Sequence, residues 1–154
     1  MSPLLFRVVF APMDAERAHR MAFAVIRVLP GFVRGFFRPA GSLRVRALGL
    51  DFPSPFGLAA GFDKEGTGIR GLGVLGFGHV EVGTITAVPQ PGNEKPRLFR
   101  LIPDRAVINR MGFNNHGAAA AAAVIARARR ARRRPVIGVN IGKSRATPLE
   151  RAAD

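Results

Sequence analysis

The stretch Phe56–Gly66, FGLAAGFDKEG, starts with small and apolar residues, breaks at Gly61 and places Asp63 and Lys64 side by side. Small residues let another surface approach the backbone, and glycine removes the last obstructing side chain. The pattern predicts a buried strand whose end presents a flat, electron-rich cofactor and an anionic substrate to each other, with Lys64 as the cation. The alternative interpretation is a strand followed by an ordinary turn, with a solvated Asp-Lys pair.

Two more predicted strands repeat this arrangement further along the chain. Buried strands are expected at Phe56–Ala60, His79–Val82 and Val136–Ile141, with helices at Lys64–Leu75 and at about Asn115–Arg133. Alternating strands and helices indicate an α/β fold with a parallel sheet. Leu43–Leu50 is predicted as a lead-in strand, and Leu98–Leu101 with Ala106–Ile108 as a small hairpin.

Polar residues lie at the ends of these strands. Thr84 follows the second strand, and Asn140 and Lys143 lie at the end of the third. Strand ends of this kind line the active-site face of a (β/α) barrel, although a doubly wound sheet also binds ligands there. The glycine-rich run GLGVLGFGHV precedes a strand instead of following one, so it is weak evidence for a dinucleotide site.

The composition narrows the classes of function. The chain has 154 residues, 24 Lys and Arg against 10 Asp and Glu, and a formal charge of +14. That charge suits nucleic acid or an anionic membrane surface. The absence of cysteine excludes disulfides, zinc–cysteine sites and a cysteine nucleophile. The three histidines show no metal-ligand spacing, no Ser/His/Asp arrangement is readable, and no apolar run reaches the ~20 residues of a membrane span.

Residues 1–41, called the N-terminal segment below, combine apolar and basic residues. A short apolar helix over Pro3–Phe10 should end at Pro12, and a second helix should run from the cap Asp14 to about Leu29. Ala18, Met21, Ala22, Val25, Ile26, Val28 and Leu29 fall on one face of this second helix, whereas Phe23 falls among the polar residues.

Phenylalanines and arginines alternate at the end of the N-terminal segment, in GFVRGFFRP. This pattern suits an anionic membrane interface, where rings enter the acyl boundary and cations meet phosphates. Two alternatives remain open: the helices only pack on the following domain, or the segment binds single-stranded nucleic acid. The separate arginine run at 127–134 is predicted to be a solvated helix end, with a nucleic-acid or lipid patch as its alternative.

Four motifs, in order, carry a family resemblance: GLAAGFDKEG, VEVGTITAVPQPGNEKPRLFRL, INRMGFNNHG and GVNIGKS. They resemble the N-terminal half of dihydroorotate dehydrogenase. The helical start, with DAERAH, resembles the membrane-associated, quinone-reducing class. The resemblance implies a (β/α)8 TIM barrel, here about its first three βα units over residues 42–154, preceded by a helical membrane and quinone-tunnel segment over residues 1–41.

The family reaction oxidises dihydroorotate to orotate in pyrimidine (UMP) biosynthesis. The resemblance implies FMN as the hydride acceptor and a membrane quinone as the final electron acceptor. It also implies a peripheral position on the cytoplasmic face of the cell membrane, contact with anionic lipid through residues 1–41, and no nucleic-acid partner. The alternative from another class is a non-catalytic, basic module that binds membrane surfaces or nucleic acid.

The resemblance also implies roles for individual residues. The expected flavin contacts are Ala60, Gly61, Phe62, Asp63, Lys64, Thr84 and Asn140. The expected substrate contacts are Lys64, Asn109, Arg110, Met111, Gly112 and Phe113. An anionic, planar substrate suits one cation together with amides of fixed hydrogen-bond geometry.

The resemblance implies that part of the enzyme is missing from this chain. A full barrel needs about 250 residues, and residues 42–154 are fewer than half of that. The catalytic base of this class, a serine, is expected on a later strand-end loop beyond Asp154, as is the phosphate site. Ser144 does not lie in the family's serine motif. We therefore expect a fragment whose unpaired strand edges favour aggregation.

Overall fold

The computed structural model describes residues 6–152. Helices α1, α2 and α3 span Ala15–Arg27, Ile69–Val74 and Gly117–Arg129, and strands β1 to β7 span Val45–Ala47, Leu50–Phe52, Gly57–Leu58, His79–Ile85, Leu98–Leu101, Ala106–Asn109 and Val136–Ile141. One π-helical turn, Phe6–Phe10, covers the described part of the predicted first helix, whose first residues lie outside the described range. Short 3-10 turns span Gly31–Phe37, Gly41–Leu43 and Leu149–Arg151.

The strands predicted at Phe56–Ala60, His79–Val82 and Val136–Ile141 form one parallel sheet in the order β3-β4-β7. Burial was predicted for all three, but only β4 is largely buried: β3 is two half-buried residues, and β7 is exposed at Val139 and Ile141 because it lies at an edge of the sheet. Val80 and Val82 of the central strand are fully buried, because helices α2 and α3 cover them with Ile69, Leu72 and Ala121. The α/β fold is therefore confirmed, with each strand parallel to the previous one, as in a TIM barrel. The described residues form an open, three-stranded part of such a sheet.

The lead-in segment differs from its prediction as a single strand. β1 and β2 form an antiparallel hairpin in which Ala47 pairs with Leu50. Leu48 and Gly49 lie between the strands with φ values of 52° and 72°. Two consecutive residues of positive φ make the tight turn that joins hairpin strands. The alternation of LRVRALGL is thus that of two short strands. The second predicted hairpin, now β5 and β6, is confirmed.

Helix α1 begins as predicted, with the Asp14 side chain accepting a 2.8 Å hydrogen bond from the Arg17 backbone N–H. Ala18 and Ile26 of the predicted apolar face pack inward, but the packing face also includes residues predicted on the polar side. Glu16 is buried, and Phe23 makes edge-to-face contact with Phe62 at 5.7 Å between ring centroids. Val25, by contrast, is exposed. The buried Glu16 is tolerated because it is ion-paired, as described below, and the solvent side keeps apolar residues.

The glycine-rich run before β4 is a packing surface for the N-terminal segment. A Cβ atom at Gly71 would lie 1.8 Å from the backbone oxygen of Ile26, and one at Gly76 would lie 2.1 Å from that of Phe37. Only residues without a side chain allow backbones to approach so closely. The run therefore has a structural role, which accounts for glycines that resemble a weak dinucleotide motif.

Candidate active site

The loop after β3 is held by the carboxylate of Asp63. This side chain is 0% exposed and accepts hydrogen bonds from the backbone N–H groups of Thr67, at 3.0 Å, and Gly68, at 2.8 Å. Burial raises its pKa, and the backbone N–H donors oppose that rise. The interpretation as a solvated Asp-Lys pair is therefore wrong. The buried Asp63 carboxylate binds the backbone of its own loop, whereas the Lys64 side chain binds Asn114 in a different loop.

Lys64 is half-buried and directed at the segment that follows β6. Its Nζ atom donates a 2.6 Å hydrogen bond to Oδ1 of Asn114 and lies 3.2 Å from the sulfur of Met111. Burial lowers the pKa of Lys64 below its ordinary 10.5, and the positive charge of Arg97 lowers it further. A partly desolvated ammonium group fixed by neutral acceptors keeps its charge available for an anionic ligand.

Backbone hydrogen bonds connect this loop to the end of β4. Gly61 N–H donates to the Gly83 oxygen at 2.8 Å, and Gly83 N–H donates to the Asp63 oxygen at 3.2 Å. Ala60 N–H donates to Oε2 of Glu81 at 3.2 Å. The ends of β3 and β4 are therefore held at one edge of the sheet, as parallel strands of a barrel require.

Thr84 and Asn140 meet at the same edge. The Thr84 hydroxyl donates a 2.6 Å hydrogen bond to Oδ1 of Asn140, and Nδ2 of Asn140 donates to Oε1 of Glu81 at 3.3 Å. Both side chains are half-buried. Having donated its proton, the Thr84 hydroxyl keeps lone pairs that can accept from a ligand.

Of the segment Asn109–Phe113, two residues lie near Lys64 and the others do not line its cavity. Asn109 and Met111 lie beside Lys64 in one cavity, and Oδ1 of Asn109 accepts a 3.0 Å hydrogen bond from the Met111 N–H. Arg110 instead lies over the Phe99 ring, 5.7 Å from its centroid, and donates to the Pro96 oxygen. Its side chain is thus occupied within the loop and hairpin.

Gly112 and Phe113 both have positive φ, at 74° and 51°. A Cβ atom at Gly112 would lie 2.9 Å from Asn93, so glycine is required there on two grounds. Phe113 is exposed. These two residues turn the chain sharply, and the turn brings Asn114 to Lys64.

A cavity of about 430 Å³ lies between helix α1, the loop after β3 and the β5–β6 hairpin. It brings together Ala60, Gly61, Phe62, Asp63, Lys64, Asn109 and Met111 of the predicted set, and adds Glu16, His19, Arg20, Phe23, Glu65, Leu98 and Asn114. Thr84, Asn140, Arg110, Gly112 and Phe113 are not among its lining residues. One end of the cavity is therefore aromatic and the other carries the lysine and the amides.

His19 lies at the aromatic end of this cavity. Its ring makes edge-to-face contact with Phe62 at 4.7 Å and stacks on Phe23 at 5.9 Å. Burial lowers its pKa, an effect that a hydrogen bond with the Phe62 backbone opposes. A neutral imidazole between two phenyl rings suits a planar ligand with polar edges.

Arg97 connects the N-terminal segment to this site. Its guanidinium makes a two-pronged ion pair with the Glu16 carboxylate, at 3.1 Å and 3.0 Å, and also donates to the backbone oxygens of Pro91 and Asn93. The Arg97 hydrogen bonds lower the pKa of Glu16 below its ordinary 4.5. Helix α1 is therefore fastened to the loop that precedes β5.

Sequence reasoning missed Asn114, Glu81, His19 and Arg97 as parts of the site. Asn114 stands in the quoted motif INRMGFNNHG, so its amide next to the predicted segment was an available signal. Glu81 lies within a buried strand, which is itself a sign of a functional carboxylate. The pairing of Arg97 with Glu16 joins residues 81 positions apart, and only the tertiary structure reveals it.

The strand-end edge fits a flat, hydrogen-bonding group such as a flavin. Gly61 has φ of 105°, and a Cβ atom placed there would meet no atom within 4 Å. The glycine therefore leaves open space beside the backbone at the position where a planar ring is expected. Thr84, Asn140 and Lys64 supply polar groups at the same edge. This donor set suits a flavin.

Neither a metal site nor a membrane span is found in the part of the chain that the structure describes. Across residues 6–152, no three His, Cys, Asp or Glu side chains gather in a way that could hold an ion. Over the same range no helix has the length and apolar character to cross a bilayer.

Comparison with known proteins agrees with this geometry. The family model described as Dihydroorotate dehydrogenase matches residues 42–154. A dihydroorotate dehydrogenase (quinone) from Leifsonia xyli subsp. xyli is 69% identical over 96% of this chain and 45% of its own length, and one from Clavibacter michiganensis subsp. michiganensis is 62% identical over 99% and 46%. This chain thus spans about half the length of the curated relatives it matches.

Solved structures give the same result. The crystal structure of the Eimeria tenella enzyme in complex with ferulenol aligns with a TM-score of 0.75 and 41% identity over 94% of this chain and 39% of that one. Its ligand-free form aligns with a TM-score of 0.77 and 43% identity over 87% and 38%. From the family match, these relatives and the parallel sheet with its strand-end site, we conclude that this chain belongs to the dihydroorotate dehydrogenase family, whose fold is an α/β TIM barrel.

Proposed function

We propose that this chain provides the first βα units and the N-terminal segment of a quinone-dependent dihydroorotate dehydrogenase. The reaction is the oxidation of (S)-dihydroorotate to orotate in pyrimidine biosynthesis, with FMN as hydride acceptor and a membrane quinone as final acceptor. The observation that carries the proposal is the Lys64–Asn114 hydrogen bond at a strand end, in a cavity that also contains Asn109. A binding module without chemistry has no need for a desolvated lysine held by amides.

In this proposal the residues of this chain bind the flavin and the substrate and orient them. FMN, when bound, accepts the hydride of the substrate. Gly61 leaves the space in which a flavin ring fits, and Thr84 and Asn140 offer it hydrogen bonds. Lys64 holds the carboxylate of the substrate by charge, and Asn109 recognises the polar edge of the pyrimidine. We assign no proton-transferring role to any residue of this chain.

The aromatic end of the cavity is the proposed quinone position. His19, Phe23 and Phe62 surround it, and helix α1 separates it from solvent. Apolar rings with one neutral imidazole suit a quinone head, which is planar and accepts hydrogen bonds.

The exposed side of the N-terminal segment is the proposed membrane contact. Phe32 is 78% exposed and Phe36 is 83% exposed, next to Arg34 and Arg38. Rings of this kind enter a lipid interface, and each nearby arginine adds about 1 kcal/mol of attraction to anionic lipid. We propose a peripheral position on the cytoplasmic face of the cell membrane.

A chimera tests the catalytic proposal. This chain replaces the matching segment of the Leifsonia xyli relative, so that the rest of that protein completes the barrel. We expect the purified chimera to show flavin absorbance and to reduce a quinone when dihydroorotate is added. The variant K64A should keep the flavin and lose substrate-dependent reduction. A chimera that folds and retains flavin but does not respond to dihydroorotate would contradict the proposal.

A further inference from the structure

A second and larger cavity lies on a different side of the molecule, at the end of the helical layer. It measures about 700 Å³ and is bounded by the 3-10 turn Gly31–Phe37 and by the loop between α3 and β7. Gly73, Gly76 and Phe77, at the end of helix α2, complete its lining. The cavity therefore joins the N-terminal segment to the barrel units, and it shares no residue with the candidate active site.

The lining of this cavity is strongly basic. Six arginines contribute to it: Arg34, Arg38, Arg44, Arg132, Arg133 and Arg134. Within residues 6–152 none of these six arginines forms an ion pair; the ion pairs there involve Lys95, Arg97 and His116. Uncompensated like charges gathered around one space favour a bound anion.

The two walls of the cavity are connected. Nη2 of Arg34 donates a 3.1 Å hydrogen bond across the cavity to the backbone oxygen of Arg133. Within the second wall, Nε of Arg134 donates to the backbone oxygen of Arg129. The arginine run is thus folded back against the N-terminal segment. The arginines of the run 127–134 are exposed to solvent, as predicted, and Arg132–Arg134 in addition line this cavity.

Apolar rings lie next to this basic cavity. Phe32 lines it and is 78% exposed, and Phe36 on the same turn is 83% exposed. A free phosphate needs only the arginines, and single-strand binders such as OB-folds place several rings along a groove that follows the nucleic-acid backbone. Guanidinium groups beside solvent-facing rings on a short helical turn match a ligand that joins phosphate to acyl chains.

We propose that this cavity binds the phosphate groups of anionic phospholipids. The inference rests on the proposed membrane contact of the N-terminal segment and adds to it a defined headgroup site. Arginines 132–134, which follow α3 far along the chain, form part of that site. The headgroup phosphates lie among the guanidinium groups while Phe32 and Phe36 enter the adjoining acyl region.

Liposome flotation of the full chain tests this proposal, since vesicle-bound protein floats whereas aggregated protein sinks. The vesicles contain phosphatidylcholine alone or with phosphatidylglycerol. The variant R132Q/R133Q/R134Q removes three charges from the cavity, and R127Q/R129Q/R130Q removes three from the adjacent exposed helix end as the charge-matched control. We expect the cavity variant to lose about tenfold more partitioning to phosphatidylglycerol vesicles than the control, because surface attraction alone scales with the number of charges.

Equal losses in the two triple variants would overturn the proposal, since they would reduce the effect to general surface charge. A second variant, R38Q/R44Q, tests the opposite wall without altering the α3–β7 loop. It should also lose more partitioning than R127Q/R130Q, and circular dichroism checks that each variant keeps its fold.

Inorganic phosphate and the phosphates of a single-stranded oligonucleotide are tested as alternative ligands of the cavity. The ring variant F32S/F36S should lose partitioning to the vesicles. If inorganic phosphate weakly competes with the vesicles for the arginines, the ring variant should show the same competition as the unaltered chain. If the ring variant loses flotation while the arginine variants keep it, the membrane proposal stands and the headgroup site is overturned. Cavity-dependent binding of a single-stranded oligonucleotide, with cavity-independent flotation, would also overturn it.

Discussion

The Nζ atom of Lys64 lies 2.6 Å from Oδ1 of Asn114, across a separation of 50 residues in the sequence. The bond joins the loop after β3 to the turn after β6, and Gly112 makes that turn possible. Lys64 is therefore oriented by a neutral amide, so its charge is not cancelled by an acid. This relationship makes Asn114 a positioning residue in the proposed enzyme.

The chimera variant N114A should bind orotate about tenfold more weakly or worse, since a hydrogen bond to a charged group contributes ~1.5–3 kcal/mol. Titration of the flavin absorbance with orotate measures the affinity. M111L is the control, because it removes only the 3.2 Å sulfur contact and keeps the side-chain volume. If N114A and M111L bind orotate equally, Asn114 does not position Lys64.

The affinity of the chimera for orotate should fall as pH rises through the pKa of Lys64. Burial places that pKa below 10.5, so the loss should begin at lower pH than for a solvated lysine. The charged ammonium binds the anion and the neutral amine does not. The variant K64R keeps its charge over this range, so its residual affinity should not show the same decline. Identical pH profiles for both proteins would contradict the assignment.

The variant E16Q should be destabilised at neutral pH by about 3 kcal/mol, because it leaves the buried Arg97 without its anion. The pKa of Glu16 is lower in the folded state than its ordinary 4.5. The ion pair therefore contributes its full stabilisation above pH 4.5, the ordinary pKa of Glu16. This stabilisation is lost as the pH falls through the lower pKa of the folded state. Urea unfolding at a series of pH values measures this. The exposed E94Q is the control, and a pH-independent difference for E16Q would argue against the ion pair.

The variant G71A should loosen the N-terminal segment although alanine is the better helix former. Alanine gains about 1 kcal/mol over glycine within a helix, but its Cβ would lie 1.8 Å from the Ile26 oxygen, which requires the backbone to move. We expect faster trypsin cleavage after Arg27. G35A is the control, because a Cβ at Gly35 meets nothing within 4 Å. Unchanged cleavage in G71A would show that the contact is not close.

Much of the fold could be predicted because buried parallel strands have a strong local pattern. His79–Ile85 and Val136–Ile141 are rich in valine and isoleucine and carry a polar residue, Thr84 or Asn140, near their ends, and the helix between them is rich in alanine. The lead-in hairpin was missed because Leu48, a residue that seldom adopts positive φ, lies in its turn.

The packing face of α1 could be predicted only in part from periodicity, which placed Ala18 and Ile26 correctly. The sequence places Glu16 on the polar side, yet Glu16 is buried because Arg97 neutralises it. Amphipathicity assumes that charged residues face water, and an ion pair between distant positions reverses that assumption. Asn114 was missed for a similar reason, since its partner Lys64 lies in another βα unit.

The glycine contacts of α2 have a consequence for comparing sequences. Gly71 has an ordinary φ and is needed because Ile26 lies against it, whereas Gly76 is required both by the Phe37 contact and by its φ of 92°. A barrel of this kind without an N-terminal segment is therefore free to carry alanine or a larger residue at position 71, but the positive φ still favours glycine at position 76. Glycine at position 71 and the presence of the segment should therefore be inherited together, so Gly71 can serve as a marker that distinguishes sequences in which a helical segment covers α2.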